Sequence, residues 1–192
     1  MLSKARGRTE SLVRPIAEAL ARAGVTPNSL TFLGLAVGLV AAVFFVKGEQ
    51  LLAGVVLLLC GGFDIIDGAV ARAARKVTAF GGVLDSVADR YVDFIILIAI
   101  AYAGLAEAGL ISGWSWVFIA IAGSFMVSYV RSRAEAAGSG KLDVGIAERA
   151  ERILILAVGA ITGYTRYAVV VIAVLTHLTV LQRLIVARRR LR

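Results

Sequence analysis

Apolar residues fall into runs of two kinds along this chain. Ser29 to Val46, Trp114 to Val130 and Tyr167 to Leu181 hold no Asp, Glu, Lys or Arg, and each is close to the length needed to cross a bilayer as a helix. The other three are greasy at one end and polar at the other. Leu51 to Phe63 leads into Asp64 and Asp67 and predicts a helix continuing to about Arg75; Phe94 to Leu105 follows a polar half from Gly81 to Asp93. Ile153 to Tyr164 follows Glu148, Arg149, Glu151 and Arg152. Pattern alone therefore predicts an all-α integral membrane protein of six transmembrane helices within residues 28–186, all in one domain spanning 1–192.

Ahead of the first span, residues 3–24 place Leu12, Ile16, Leu20 and Ala23 near one helical face, with Lys4, Arg6, Arg8, Arg14 and Arg22 largely elsewhere. That is the pattern of an amphipathic helix lying on a membrane surface, started or bent near Pro15. Gly24 and Thr26-Pro27-Asn28 end it and start the next.

Composition agrees: 59% of the residues are apolar, against about 45–50% in soluble domains. A formal charge of +8 could suggest nucleic acid, but bases scattered over short links between apolar runs belong to membrane topology and anionic headgroups. With the N-terminus in the cytoplasm, six crossings leave only Lys47 and Arg166, of 21 Lys and Arg, on the far side. The positive-inside rule selects that orientation, with both termini and every polar half-helix at the cytoplasmic face of the cell membrane. No cleaved signal peptide is read at the N-terminus. The single cysteine, Cys60, reads as a small buried hydrophobe.

Charge inside such a protein is costly and marks function. Asp64 and Asp67 are three apart and Asp85 and Asp89 four apart, so each pair shares a helix face, and a turn between Arg75 and Gly81 lets the faces meet. Four carboxylates so placed repel unless neutralised. Hard divalent cations do this with oxygen ligands, and paired ions about 3.5–4 Å apart serve phosphoryl chemistry. Gly68, Ala71 and Gly81 leave a smooth patch beside them for a bulky ligand. Salt bridges to Arg72, Arg75 and Arg90, or an ion-coupled carrier pathway, are the competing readings.

The run Asp64-x2-Asp67-Gly68-x2-Ala71-Arg72-x8-Gly81-x3-Asp85-x3-Asp89 resembles, without departure, the signature of the CDP-alcohol phosphotransferase family. The six spans and the Thr26-Pro27-Asn28 start of the first resemble it too. The resemblance implies an enzyme in which an alcohol attacks the lipid-side phosphate of a CDP-linked lipid and releases CMP. It implies two Mg2+ or Mn2+ ions held by Asp64, Asp67 and Asp85, with Asp89 completing the metal site and acting as general base. Gly68, Ala71, Arg72 and Gly81 would receive the CDP-lipid, and the family implies a homodimer.

A second polar cluster bears on the acceptor. Ser128, Arg131, Arg133, Arg149, Arg152 and Arg183 lie near the cytoplasmic ends of the later spans, and guanidinium groups there favour an acceptor carrying its own phosphate. Arg131 and Arg133 diverge on a regular helix, and Arg149 is equally well read as part of the positively charged fringe. These segments resemble the phosphatidylinositol phosphate synthase branch and its archaetidylinositol phosphate counterpart, which implies inositol 1-phosphate as acceptor and Ser128, Arg131, Arg152 and Arg183 as its phosphate pocket. Glycerol 3-phosphate is the runner-up. Asp93 could partner Arg90 or an acceptor hydroxyl, or make a helix-helix bond; His177 reads as packing; Gly34 and Gly38 form a small-xxx-small pair for close helix contact.

Overall fold

The structure, a computed structural model, describes residues 6–74 and 77–192, with side chains omitted from 6–12. Lys4, the first residues of the surface helix and the Arg75 side of the expected turn lie outside that description. Seven helices follow in order: α1 Arg6–Arg22, α2 Pro27–Val46, α3 Gln50–Ala73, α4 Ala79–Tyr102, α5 Gly113–Ala136, α6 Arg149–Ile161 and α7 Thr165–Arg190. The starts follow local chemistry. Thr26 Oγ1 accepts from the Ser29 N–H with Pro27 at the first helical position, Thr78 Oγ1 caps α4 through Gly81 N–H, and Ser112 caps α5 through Ser115 N–H.

Four helices, α2, α3, α5 and α7, are long and apolar enough to cross a membrane. The other two that the apolar pattern assigned to spans fall short for different reasons. Helix α4 carries Asp85, Asp89, Arg90 and Asp93, and α6 has only 13 residues.

One apolar core joins the greasy halves of α2 to α7, with Phe45, Leu57, Ile96, Ile100, Val117, Ala157, Val169 and Ile172 all closed off from solvent. Small residues set the helix spacing. A Cβ on Gly38 would stand 2.9 Å from both methyls of Val92, so α2 approaches α4 as closely as a bare backbone allows. Cys60 is fully buried, its thiol donating to Gly34 O at 3.3 Å.

Helix α1 packs on α3 through Val13, Ala17, Leu20 and Ala21, against Leu30, Ala69 and Val70. Of the apolar stripe read from the sequence, Leu20 joins this contact and Ile16 is exposed. Helices α3 and α4 turn their acidic faces toward each other, as expected, without packing closely. Each instead packs on α2, which leaves a gap between their polar ends, while α6 packs against α3 and α7.

The polar half expected from Glu148 to Arg152 does open the sixth helix, with Glu148 as its N-cap and Arg149 its first residue, and the helix ends at Ile161, short of the expected Tyr164. The irregular link before it is held by buried bonds. Ile146 and Ala147 N–H donate to Thr179 Oγ1 at 3.2 and 3.1 Å, and Arg183 Nε donates to Val144 O at 2.7 Å. Non-helical backbone survives at membrane depth only when satisfied by protein in this way.

Candidate active site

The gap between α3 and α4 opens at the polar end of the core. From α3 come Asp64, Asp67, Gly68, Ala71 and Arg72; from α4 come Gly81, Asp85, Asp89 and Asp93. Asp67 is 7% exposed and accepts from Thr31 Oγ1 of α2 at 3.1 Å, so α2 orients the deepest carboxylate on its helix. Gly68 faces Arg72, whose Nη1 would lie 3.4 Å from a Cβ there. Gly81 is the residue capped by Thr78, and a Cβ on it would also meet Asn28 Oδ1 at 3.5 Å.

Across the gap reaches Arg149, the first residue of α6. Its guanidinium contacts Asp64 Oδ2 and, at 2.9 Å, Asp89 Oδ1, with Nε 3.8 Å from Asp93 Oδ1; the side chain is 11% exposed. One cation thus bridges α3 and α4 through a third helix. One turn on, Arg152 Nη2 donates to Asp93 Oδ2 at 2.6 Å and Nη1 to Ala147 O at 3.0 Å. Below that pair is a cavity of about 20 Å³ bounded by Asp93, Arg152, Ser124, Val92 and Ile172, room for one water. Asp93 therefore makes a helix-helix bond, one of the alternatives the sequence offered, with Arg152 of α6 as partner and not Arg90 or an acceptor hydroxyl, and Arg149 lies close by.

The remaining predicted acceptor residues are distributed unevenly. Arg90 Nε donates to Ser128 Oγ at 3.0 Å, and its Nη1 lies 3.3 Å from Asp89 Oδ2, so Ser128 is tied to the carboxylate cluster through Arg90. Arg183, 2% exposed, donates to Val127 O at 2.6 Å and Glu148 Oε1 at 3.0 Å besides Val144 O. Arg131 spends its guanidinium on Glu135 and Asp143, both at 3.1 Å. Arg133 is exposed and is not brought to the gap. His177 sits away from the acids, with Nδ1 2.9 Å from Ala173 O of its own helix.

The donor set has the chemistry a hard divalent cation requires, carboxylate oxygens from two facing helices. Among the described residues no three acidic, His or Cys side chains converge closely enough to hold an ion. The space between Asp64 and Asp89 is taken by the Arg149 guanidinium. The central place of Arg149 was not legible in the sequence, where it was one of four charges before an apolar run. The signal that could have found it is its spacing: Arg149 and Arg152 are three apart and share a face, matching the acidic stripe Asp89 and Asp93.

A family model described as CDP-alcohol phosphatidyltransferase matches residues 24–188, which takes in every element of this arrangement. The chain belongs to that family. Its members are enzymes, and so is this chain. It is 43% identical to the archaetidylinositol phosphate synthase of Pyrococcus horikoshii, over all of this chain and 98% of that one. It is 38% identical to the phosphatidylinositol phosphate synthase of Mycobacteroides abscessus over 78% of this chain and 68% of that one. Two crystal structures of phosphatidylinositol phosphate synthase from Mycobacterium tuberculosis superpose on this fold. The CDP-DAG-bound form has a TM-score of 0.77 and 29% identity over 92% of this chain and 94% of that one. The complex with manganese and citrate gives 0.78 and 30%, covering 92% and 88%.

Proposed function

We propose that this chain transfers the phosphatidyl-type group of a CDP-linked lipid, CDP-archaeol or CDP-diacylglycerol, to inositol 1-phosphate with release of CMP. The observation that carries the reading is the facing of Asp64 and Asp67 on α3 toward Asp85 and Asp89 on α4, with Arg149 bridging Asp64 and Asp89 and buried Arg152 on Asp93 one turn on. The relatives support it: those most like the chain are named synthases of inositol phosphate lipids, and one solved relative carries CDP-DAG.

Asp64, Asp67 and Asp85 are the residues that would hold a divalent metal, Mg2+ or Mn2+ and as a pair of ions, with Asp89 completing the set. A bound divalent ion would draw charge from the diphosphate and stabilise departing CMP. The manganese complex of a solved relative supports that chemistry. Gly68, Ala71 and Gly81 leave backbone open to the donor's nucleotide, and Arg72 offers a planar cation to its diphosphate. Asp89 accepts the proton of the attacking hydroxyl. Arg152 and Arg183, with Ser128 and Arg131, hold the acceptor's phosphate; Arg133 would have to turn inward to join them.

We also propose six crossings, with α4 and α6 included, and the site on the cytoplasmic side. The distribution of Lys and Arg supports both.

Purified chain given a CDP-lipid, Mn2+ and inositol 1-phosphate is expected to release CMP, and Asp89→Asn to lower the rate by about 10²–10⁴-fold, the usual worth of a general base. Inositol 1-phosphate, glycerol 3-phosphate and serine compared in one assay decide the acceptor. Preference for glycerol 3-phosphate would reject the inositol reading, and no CMP with any alcohol would reject the whole proposal.

A further inference from the structure

Arg149 stands where a helix least favours a cation. It opens α6, whose N-terminus carries the positive end of the helix dipole, and Glu151 is the only acidic residue in that first turn. The N-cap residue, Glu148, gives no side-chain cap and turns its carboxylate to Arg183 instead. What holds the Arg149 guanidinium is thus the carboxylate gap, with Nη1 on Asp64 and Asp89. The seat is incomplete. The guanidinium also lies against the Cys60 thiol, yet Nε is buried without a hydrogen-bond partner among the described residues, with Asp93 Oδ1 3.8 Å away. An arginine satisfied only in part by two acids keeps a third within reach.

Asp64 and Asp89 also belong to the donor set that fits a divalent cation. A guanidinium and a divalent ion cannot share those oxygens, since both need the same lone pairs and like charges repel at contact distance. We propose that Arg149 is a built-in counter-cation of the acidic gap, one that a divalent ion must displace, with Asp93 the carboxylate left to receive it. The proposal rests on the metal-dependent reading of the site given above. Its logic is linkage: whatever binding Arg149 gives to Asp64 and Asp89 is subtracted from metal affinity, and the metal in turn loosens the tie between α6 and the two acidic helices. An acidic gap in a membrane is thereby never left uncompensated, and metal affinity is held below what four carboxylates alone would give.

The test measures metal, not turnover. Mn2+ is titrated into the metal-stripped full chain in detergent micelles, and free ion is followed by its paramagnetic resonance signal, alongside thermal unfolding with and without Mn2+. Arg149→Gln is expected to bind Mn2+ about tenfold more tightly than the unaltered chain, a typical size for coupled sites. It should unfold at a lower temperature without metal and gain more from adding it. Arg149→Lys, which keeps a charge but has a shorter reach and no second group of guanidinium donors for Asp93, should fall between the two. If Arg149→Gln fails to fold, the lysine variant decides alone. Affinity in the folded variants equal to or below that of the unaltered chain overturns the counter-cation role. Absence of Mn2+ binding by the unaltered chain overturns the metal reading beneath it, a different result.

Discussion

Arg152 and Asp93 show how much a single buried contact holds here. Their side chains are 5% and 9% exposed and 2.6 Å apart, so removing either leaves a charge cut off from bulk solvent. Arg152→Ala is expected to destabilise the chain by about 3–5 kcal/mol, as breaking a buried ion pair does. Asp93→Asn combined with it should recover a large part of that loss, in a double-mutant cycle read by thermal unfolding. Activity should separate the residue's two roles. With stability restored, the KM for the phosphorylated acceptor stays raised in the double variant if Arg152 also meets that phosphate, and returns to normal if it is purely structural. Several residues of this site were legible in the chain because their spacing is rigid: a helix fixes where Asp64 and Asp67, or Asp85 and Asp89, point. Arg149 was not, because its role is set by which helix α6 packs against, a long-range fact that no spacing within one segment encodes. Asp93 was half legible, readable as a polar residue on the acidic stripe but without its partner.

At the scale of elements, the apolar pattern located every helix within a few residues, since a run of apolar residues has few alternatives to a helix in lipid. It placed the start of α6 to within one residue, while the irregular path of residues 144–147 before it, held by Thr179 and Arg183 on α7, has no signal within its own segment. The acidic faces of α3 and α4 do turn to each other, but across a gap and not in direct packing, because each helix rests on α2, whose glycines allow close approach. Whether α4 and α6 cross is checked by cysteines placed at the exposed positions Lys47, Leu110 and Thr162, and at Val77, Ala137 and Arg192, probed with a membrane-impermeant thiol reagent. Six crossings require the first three to react from one side and the last three from the other. Reaction of Leu110 from the same side as Val77 would remove α4 from the spans.

Taken whole, the molecule is a ring of long helices with one short member. Helix α6, at 13 residues, rises about 20 Å, where the hydrocarbon layer is about 30 Å thick. If α6 crosses, as proposed above, the bilayer meets this shortfall by thinning at modest cost. The shortfall lies on the flank of the helix that begins at Arg149, so the membrane should dimple beside the acidic gap and bring the headgroup plane down to it. A lipid substrate then offers its phosphate to the carboxylates with its tails still among their neighbours, and no part of it is lifted out of the layer. Reconstitution in lipids of graded chain length should show the rate falling as the bilayer thickens while the fold, followed by helical circular dichroism, stays constant. A rate indifferent to thickness would mean that the protein, and not the membrane, bridges those missing ångströms.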